Sequence, residues 1–313
     1  MALPDRKTDA LANADTAPFL LTPEVLRRFH ESQTANVSVD IAGASHRGMV
    51  RATNQDHFLV GHIQRSLDIL DTNISADFIP RNYGETAYGM VVADGMGGTR
   101  AGDVASKLAI RTLLELVMQT PGWIMRATPG AAEEHLRRQR ERFDQIQQAL
   151  GDYAACYPTT ESMGTTLTVV ASLGLDFTVA HVGDSRAYLF RGGELLRVTR
   201  DQTLVQGLID AGKLTPETAK RHPQRHVLTG ALTAAERPVD TQLLKMHLDF
   251  GDCILVCTDG LTNMVPEPAI AEVLKTGGPA RTNCKTLIQQ ALEAGGTDNI
   301  TVAIARYSER PRT

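Results

Sequence analysis

Four aspartates in this sequence stand where an apolar, strand-like run meets glycine: Asp94, Asp184, Asp259 and Asp298. A strand that ends in Asp-Gly delivers a carboxylate to a surface, and the glycine leaves main-chain groups uncovered. One aspartate beside a glycine at a strand end is typical of a simple turn, but four in one chain favour convergence on one cleft. Carboxylates at close range repel one another unless cations bind, and oxygen-only ligands favour Mg²⁺ or Mn²⁺ over zinc. The pattern therefore predicts a site for divalent cations.

A second polar cluster lies in the turn before the strand-like residues 57–60. It contains Arg51, Asn54, Gln55 and Asp56 within six positions. The planar guanidinium of Arg51 suits bidentate recognition of a phosphate dianion, and Asp56 could hold metal-bound water. Two metal ions about 3.5–4 Å apart can bridge one water, lower its pKa and aim it at phosphorus. Together the two clusters predict metal-assisted hydrolysis of a phosphate ester, with Arg51 gripping the phosphate.

The charge balance argues against several classes of partner. The 313 residues include 32 Lys and Arg against 36 Asp and Glu, a formal net charge of −4. A metal-dependent nuclease would need a basic groove, whereas the run at 133–142 has mixed signs and is typical of a solvated helix face. No apolar run approaches the roughly 20 residues that span a bilayer, and the polar N-terminus lacks the apolar region of a secretory signal. These features predict a cytoplasmic protein without nucleic acid or membrane partners.

Thiol, nucleotide and zinc chemistry have weaker support. None of the four cysteines is followed six positions later by the arginine that a cysteine phosphatase requires. The run Gly207–Lys213 resembles the start of a P-loop, but Leu214 stands where Ser or Thr belongs, and no buried strand precedes it. His222 and His226 lack a second pair of zinc ligands, so they are interpreted as surface histidines.

Apolar periodicity separates an N-terminal extension from one large domain. Residues 1–21 show no periodicity, whereas Thr22-Pro23-Glu24 is typical of the start of a short helix. Residues 61–86 are interpreted as an inserted excursion, and residues 201–226 as a polar subdomain with helices at 203–211 and 216–221. The remaining pattern predicts helices at 101–119, 131–155, 269–275 and 280–294, and strands at 37–42, 57–60, 89–93, 164–171, 177–182, 187–190, 195–199, 252–257 and 300–307.

Six motifs in a fixed order resemble the metal-dependent type 2C Ser/Thr protein phosphatases, the PPM family, in its bacterial branch. The resemblance covers residues 38–307 and implies an α+β fold, in which two packed antiparallel β-sheets are flanked by helices. It also implies an N-terminal extension at 1–37 and a phosphatase domain at 38–313 with a helical flap at about 201–226. The motifs are Arg51-x-x-Asn54-x-Asp56, Asp94-Gly95-Met96-Gly97-Gly98, Met163-Gly164-Thr165-Thr166, Gly183-Asp184-Ser185-Arg186, Thr258-Asp259-Gly260 and Gly296-Thr297-Asp298-Asn299.

The resemblance also implies roles for individual residues. Asp94 is similar to the ligand that bridges two Mn²⁺ or Mg²⁺ ions. The carbonyl of Gly95 resembles the group that completes the coordination of the first ion. Asp259 and Asp298 resemble the ligands of the second ion. Asp184, together with Asp259, resembles a third metal site of bacterial members. Arg51 resembles the phosphate-binding arginine. The expected catalytic residues are Arg51, Asp56 and Asp94.

Two departures from the family pattern affect the expected chemistry. Gln55 stands where many members have glutamate, so a water-mediated contact to the first metal loses its charge. Met96 stands where animal members place a histidine proposed as the general acid, so the leaving group must be protonated by water or by another group.

The resulting hypothesis is a monomeric phosphatase that hydrolyses phosphoserine and phosphothreonine in proteins, the products of a Ser/Thr kinase. The alternative is a pseudophosphatase that keeps the fold as a regulatory binding module. Loss of a metal-binding aspartate would favour the alternative, but Asp94, Asp259 and Asp298 are all present.

Overall fold

The computed structural model describes residues 36–74, 82–98, 100–119, 131–235 and 238–310. In these ranges the chain forms twelve strands, seven α-helices and one short 3-10 turn at Pro158–Thr160. The strands are β1 Val37–His46, β2 Asp56–Asp68, β3 Asn82–Met96, β4 Gly164–Thr165, β5 Leu167–Leu173, β6 Asp176–Val182, β7 Arg186–Arg191, β8 Glu194–Arg197, β9 Leu232–Thr233, β10 Gln242–His247, β11 Cys253–Cys257 and β12 Ile300–Glu309. The helices are α1 Ala101–Gln119, α2 Ala131–Cys156, α3 Leu204–Asp210, α4 Pro216–Ala219, α5 Asp259–Thr262, α6 Glu267–Lys275 and α7 Ala280–Glu293.

The strands form two sheets in which all neighbours are antiparallel. One sheet has the order β1-β12-β11-β7-β8. The other has the order β10-β6-β5-β3-β4-β9, with β2 paired along the free edge of β3. Strands β5 to β8 do not form one meander: β5 pairs with β6 in one sheet and β7 pairs with β8 in the other, so the chain crosses between the sheets at the turn of Asp184.

Three apolar clusters show how these layers pack. The cluster between the sheets contains side chains from both, including Val92 and Val179 from one and Ile254 and Ala305 from the other. The side chains that alternate with these on each strand face outward, where helices cover them. Helices α1 and α2 pack on the sheet that contains β3, and α6 and α7 pack on the sheet that contains β12. The predicted β-sandwich flanked by helices is therefore confirmed.

The sequence located most elements but missed some. The helix predicted at 101–119 has those bounds, and the two flap helices are present with shorter ends. The interpretation of 61–86 as an excursion is wrong for its two sides, because β2 runs to Asp68 and pairs with β3 from Asn82 onward. The second half of β2 is exposed from Gln64 to Asp68, so its residues lack the apolar alternation that reveals a strand. Strand β10 was also missed, and the helix predicted after Thr22 lies outside the described residues.

No helix in the described ranges is long and apolar enough to cross a membrane. The three cysteines at 253, 257 and 284 are buried, and burial raises the pKa of each thiol to about 12. These thiols are therefore small core side chains, as expected for Cys253 and Cys257.

A buried histidine lies at the end of β6, where the chain turns toward Asp184. His181 is fully buried, with Nδ1 2.8 Å from the Thr168 hydroxyl and Nε2 3.1 Å from the carbonyl oxygen of Gly183. A neutral ring satisfies both contacts when Nε2–H donates to the carbonyl and Nδ1 accepts from the hydroxyl. Burial lowers the pKa of His181 from 6.5 to about 4, because the imidazolium would be desolvated.

This pKa shift makes stability depend on pH. Between pH 6.5 and 4 His181 is protonated in the unfolded chain but not in the folded chain. The contribution of His181 to the free energy of unfolding is therefore complete above pH 6.5 and is lost as the pH falls toward 4. His181→Gln removes the titrating group. We expect it to lower the free energy of unfolding at pH 7.5, and to lower it by less at pH 5. Urea unfolding of both proteins at the two pH values measures this difference, with His62→Gln as the surface control. A wild-type-to-variant difference that does not change with pH would contradict the assignment.

Candidate metal centre

One cavity of about 770 Å³ opens at the end of the sandwich where β3, β6 and β11 finish. Its walls contain all four predicted aspartates, Asp94, Asp184, Asp259 and Asp298. Residues far apart in the chain meet here because each of these aspartates lies at the end of a buried strand or in the turn beside it. The other predicted residues Arg51 and Gly95 also line the cavity.

Asp94 is held from both sides of its peptide. The hydroxyl of Thr166 accepts a hydrogen bond from the Asp94 N–H at 3.0 Å, and the Thr166 N–H donates to the Asp94 carbonyl at 2.9 Å. Thr166 stands in the break between β4 and β5, and its hydroxyl also lies 2.8 Å from that of Ser185. One threonine therefore connects the loop of Asp94 to the loop of Asp184, which explains why the Gly-Thr-Thr motif has a threonine at this position.

Gly95 has no room for a side chain. A Cβ atom at this position would lie 2.1 Å from the carbonyl oxygen of Gly102, in the first turn of α1, and 2.9 Å from that of Gln55. The close approach lets α1 begin directly beside the cavity. The side chain of Gln55 donates to the Gly98 carbonyl at 2.6 Å, so it holds the glycine loop.

Arg51 lies in the loop between β1 and β2 and faces Asp298 across the cavity rim. Their closest nitrogen and oxygen atoms are 2.7 Å apart, and 56% of the arginine side chain is exposed. Gly48 permits this approach, because it has a positive φ of 78° and a Cβ there would lie 2.1 Å from the Asp298 carbonyl oxygen. An exposed guanidinium at the mouth of an acidic cavity is available to an incoming phosphate.

Asn299 anchors the same loop. Its side-chain oxygen accepts from the Gln55 N–H at 2.7 Å, and its side-chain nitrogen donates to the carbonyls of Arg47 and Thr53 at 2.8 and 2.9 Å. Three hydrogen bonds from one amide therefore fix the backbone on both sides of Arg51. The sequence placed Asn299 in a motif but gave it no role.

Asp56 lies behind the cavity wall, where it is opposite Asp94 in the β2–β3 pairing. Its side chain is 2% exposed, and Oδ2 accepts a hydrogen bond from the Thr258 hydroxyl at 2.8 Å. The other oxygen, Oδ1, is buried and accepts no hydrogen bond of normal geometry among the described residues, although the nearby Thr301 side chain lowers the pKa of the carboxyl. A buried carboxylate oxygen without a donor is costly, so this atom calls for a cation or water beside it.

Asp184 occupies the turn between β6 and β7, which is joined to the flap. The side-chain oxygen of Gln202 accepts from the Gly183 N–H at 2.9 Å, and the Gln202 N–H donates to the Gly183 carbonyl at 2.7 Å. Arg186, two residues after Asp184, pairs with Asp201 through two guanidinium nitrogens. The turn of Asp184 and the start of the flap are therefore one hydrogen-bonded unit.

The electrostatics of the cluster indicate an uncompensated set of acids. Burial, and after it the charges of Asp56, Asp259, Asp184 and Asp298, raise the pKa of Asp94 well above 3.8. Burial and then Asp259 similarly raise the pKa of Asp184. Burial also raises the pKa of Asp56 to about 7, although its hydrogen bond from Thr258 acts in the opposite direction. Each shift reflects burial and the repulsion of neighbouring carboxylates, which at Asp184 outweigh the opposing charge of Arg186.

These residues fit divalent cations of the Mg²⁺ or Mn²⁺ type. In the described part of the chain no three Asp, Glu, His or Cys side chains already converge on one point, because Asp298 faces Arg51 and Asp259 accepts from Asn263 at 3.0 Å. The fit rests instead on the donors, which are carboxylates and main-chain carbonyls on one cavity wall, on the raised pKa values, and on the unpartnered Asp56 Oδ1.

The structure places His226 in the site, whereas the sequence analysis interpreted it as a surface residue. His226 was assigned to the surface, and its side chain is indeed 52% exposed, but it also lines the cavity with Nδ1 3.7 Å from Asp259 Oδ2. Its neighbours Leu228, Thr229 and Gly230 line the same wall. No local pattern marks this segment, because the bridge between Thr203 and Leu228 that folds it back over the cavity is a tertiary contact.

Comparison with known proteins agrees with this geometry. The family model described as "Protein phosphatase 2C" matches residues 77–293. The serine/threonine protein phosphatase PstP of Mycobacterium tuberculosis is 37% identical over 264 residues, which are 84% of this chain and 44% of that protein. The serine/threonine phosphatase stp of Listeria monocytogenes is 36% identical over 215 residues, 69% of this chain and 82% of its own length. The match therefore spans less than half the length of the mycobacterial relative.

A solved structure extends the comparison to three dimensions. The catalytic domain of the phosphatase PstP in complex with two manganese ions superposes with a TM-score of 0.68 at 32% identity, covering 87% of this chain and 99% of that one. The sequence similarity, the shared fold and the acid-lined cavity lead to the same family. This chain is a member of the protein phosphatase 2C family.

Proposed function

We propose that this chain is a metal-dependent protein phosphatase that hydrolyses phosphoserine and phosphothreonine side chains. The observation that carries the proposal is the shared cavity in which Arg51 faces four aspartates on strand ends. The named relatives are bacterial Ser/Thr phosphatases, which agrees with this activity. The substrates would be phosphoproteins produced by a Ser/Thr kinase, and the enzyme would act as a cytoplasmic monomer.

Roles for the residues follow from their positions. Asp94, the Gly95 carbonyl, Asp259 and Asp298 would hold two ions, and Asp184 with Asp259 would hold a third. Two Mn²⁺ or Mg²⁺ ions, when bound, neutralise phosphate charge and lower the pKa of water. The pairing of β2 with β3 holds Asp56 beside Asp94, and its free Oδ1 can accept a hydrogen bond from the attacking water.

Arg51 would bind and orient the phosphate. Its guanidinium can release Asp298 and present two N–H groups to the phosphate oxygens, a geometry that lysine cannot reproduce. The Met96 thioether lines the cavity and has no proton to give, so the leaving alkoxide takes its proton from water or from another group.

The alternative of a pseudophosphatase is disfavoured. A binding module that had lost catalysis would have no need to keep several buried acids whose mutual repulsion destabilises the fold. Asp56, Asp94, Asp184, Asp259 and Asp298 are all retained around one cavity.

Dependence on divalent cations is the first expected property. Carboxylates and carbonyls hold hard cations through several waters, so exhaustive chelation should abolish hydrolysis of a phosphothreonine peptide, and added Mn²⁺ should restore it. Because bound cations relieve the repulsion among the acids, Mn²⁺ should also raise the Tm of the protein. Phosphate release and thermal unfolding measure the two effects. Full turnover in excess chelator would exclude this mechanism.

Removal of one metal ligand should separate activity from stability. We expect Asp259→Asn to reduce turnover by at least about 1,000-fold, since several kcal/mol of transition-state stabilisation come from the metals. The same change should raise the Tm of the metal-free protein, because it removes one repelling charge. Asp68→Asn, on the exposed end of β2, is the matched control and should change neither quantity. Near-normal turnover by Asp259→Asn would remove this residue from the site.

Substitution of Arg51 should act mainly on substrate binding. Loss of a charge-assisted hydrogen bond to phosphate costs about 1.5–3 kcal/mol, so Arg51→Ala should lower kcat/KM by about 10- to 100-fold, largely through KM. Arg51→Lys should recover only part of this loss because it cannot bind in a bidentate way. Steady-state kinetics with a phosphothreonine peptide test both variants. Unchanged KM and kcat in Arg51→Ala would show that the phosphate binds elsewhere.

A further inference from the structure

The second half of the flap, with the two residues after it, carries a charge opposite to that of the whole protein. Residues 211–228 contain four Lys and Arg residues and one glutamate, a formal charge of +3, whereas the chain as a whole has −4. The four cations are Lys213, Lys220, Arg221 and Arg225, and all of them are exposed. This segment therefore places a positive surface next to an acidic cavity.

These cations are not used by the fold. In the described part of the flap, the ion pairs join Asp201 to Arg186 and Arg197, Asp210 to Arg200, and His226 to Asp259, and none of them involves Lys220, Arg221 or Arg225. The charged helix α2 behaves differently, because two of its arginines, Arg137 and Arg138, pair with Glu134 three or four positions away. We call Lys220, Arg221 and Arg225 the basic ridge.

One end of the ridge adjoins the cavity wall along the chain. Arg225 directly precedes His226, which lines the cavity wall beside Asp259. Consecutive Cα atoms are about 3.8 Å apart, so the Cα atom of Lys220 lies within about 20 Å of that of Arg225. An extended peptide advances about 3.3 Å per residue, so residues about three to six positions from a phosphorylated residue in the cavity can reach the ridge.

The backbone of the ridge is ordered by its own hydrogen bonds. Tight turns link His222 N–H to the Ala219 carbonyl, Arg225 N–H to the His222 carbonyl and Val227 N–H to the Gln224 carbonyl, each at 3.1 Å. The Val227 carbonyl accepts from the Leu204 N–H at 2.9 Å, which fastens the end of the segment to the start of α3. The three cations are therefore presented from a structured support.

We propose that the basic ridge binds an anionic side chain of the protein substrate, so that the enzyme prefers phosphorylated residues with an acidic or second phosphorylated residue about three to six positions away. The inference rests on the proposed phosphatase function and specifies its substrate class. Aspartate, glutamate and phosphate share the anionic oxygens that Lys and Arg bind. The ridge makes no contact with the reacting atoms, so it determines specificity and leaves the chemical step to the metal centre.

The test compares three phosphothreonine peptides with the Mn²⁺-loaded enzyme: one with neutral flanks, one with aspartates three to six positions away, and one with a phosphoserine in their place. The variant Lys220→Gln/Arg221→Gln/Arg225→Gln removes the ridge. The matched control Arg65→Gln/Arg281→Gln/Lys285→Gln removes three exposed cations from β2 and α7. The readout is the ratio of kcat/KM for each anionic peptide to that for the neutral peptide, with a small aryl phosphate as a reference for the chemical step.

We expect the wild type and the control to prefer at least one anionic peptide by about tenfold at low salt, since three exposed contacts each contribute a small gain. The ridge variant should have a ratio near one, and 1 M salt should remove the wild-type preference because it screens exposed charges. The larger ratio identifies whether carboxylate or phosphate is the better anion. An absent preference in the wild type, or the same preference in the ridge variant, would overturn the proposal. If no peptide is hydrolysed, the proposed function fails, and fluorescence anisotropy of the intact labelled peptides then decides whether the ridge binds anions.

Discussion

The repulsion among carboxylates at one end of the sandwich is the constraint on which the site depends. Asp94, Asp184, Asp259 and Asp298 share one cavity, and the raised pKa values of the first two show that protein groups leave their charge uncompensated. Such a cluster is tolerable in a folded protein only when rigid elements hold it in place. Here the ends of buried strands supply that rigidity, and divalent cations are the partners that would relieve the repulsion.

A layer of polar side chains behind the acids transmits this rigidity to the loops. Thr166 joins the loop of Asp94 to that of Asp184, Asn299 fixes the loop of Arg51, and Thr258 binds Asp56. Each of these side chains forms its hydrogen bonds with the backbone or with another residue of the site, so its role is to position the reacting groups. Their placement explains why the motifs contain Thr and Asn next to the aspartates.

The flap adds a second electrostatic character to the same end of the molecule. It is hydrogen-bonded to the turn of Asp184 through Gln202, and the ion pairs of the described residues do not include the three cations of its basic ridge. The cavity thus suits cations, while its rim suits anions. The proposed substrate, a phosphorylated segment of protein, would match both, with its phosphate at the metal centre and further anionic groups at the rim.

The sequence by itself determined the metal-binding chemistry and most elements of the sandwich, because apolar alternation and Asp-Gly turns are local signals. The bounds of α1 and the convergence of the four aspartates were predicted in this way. Only the tertiary structure decided that His226 faces the cavity, that Asn299 and Gln202 brace the loops, and that the exposed half of β2 continues as a strand. Each of these depends on a contact between residues distant in the chain, and neither the type nor the spacing of nearby residues records such a contact.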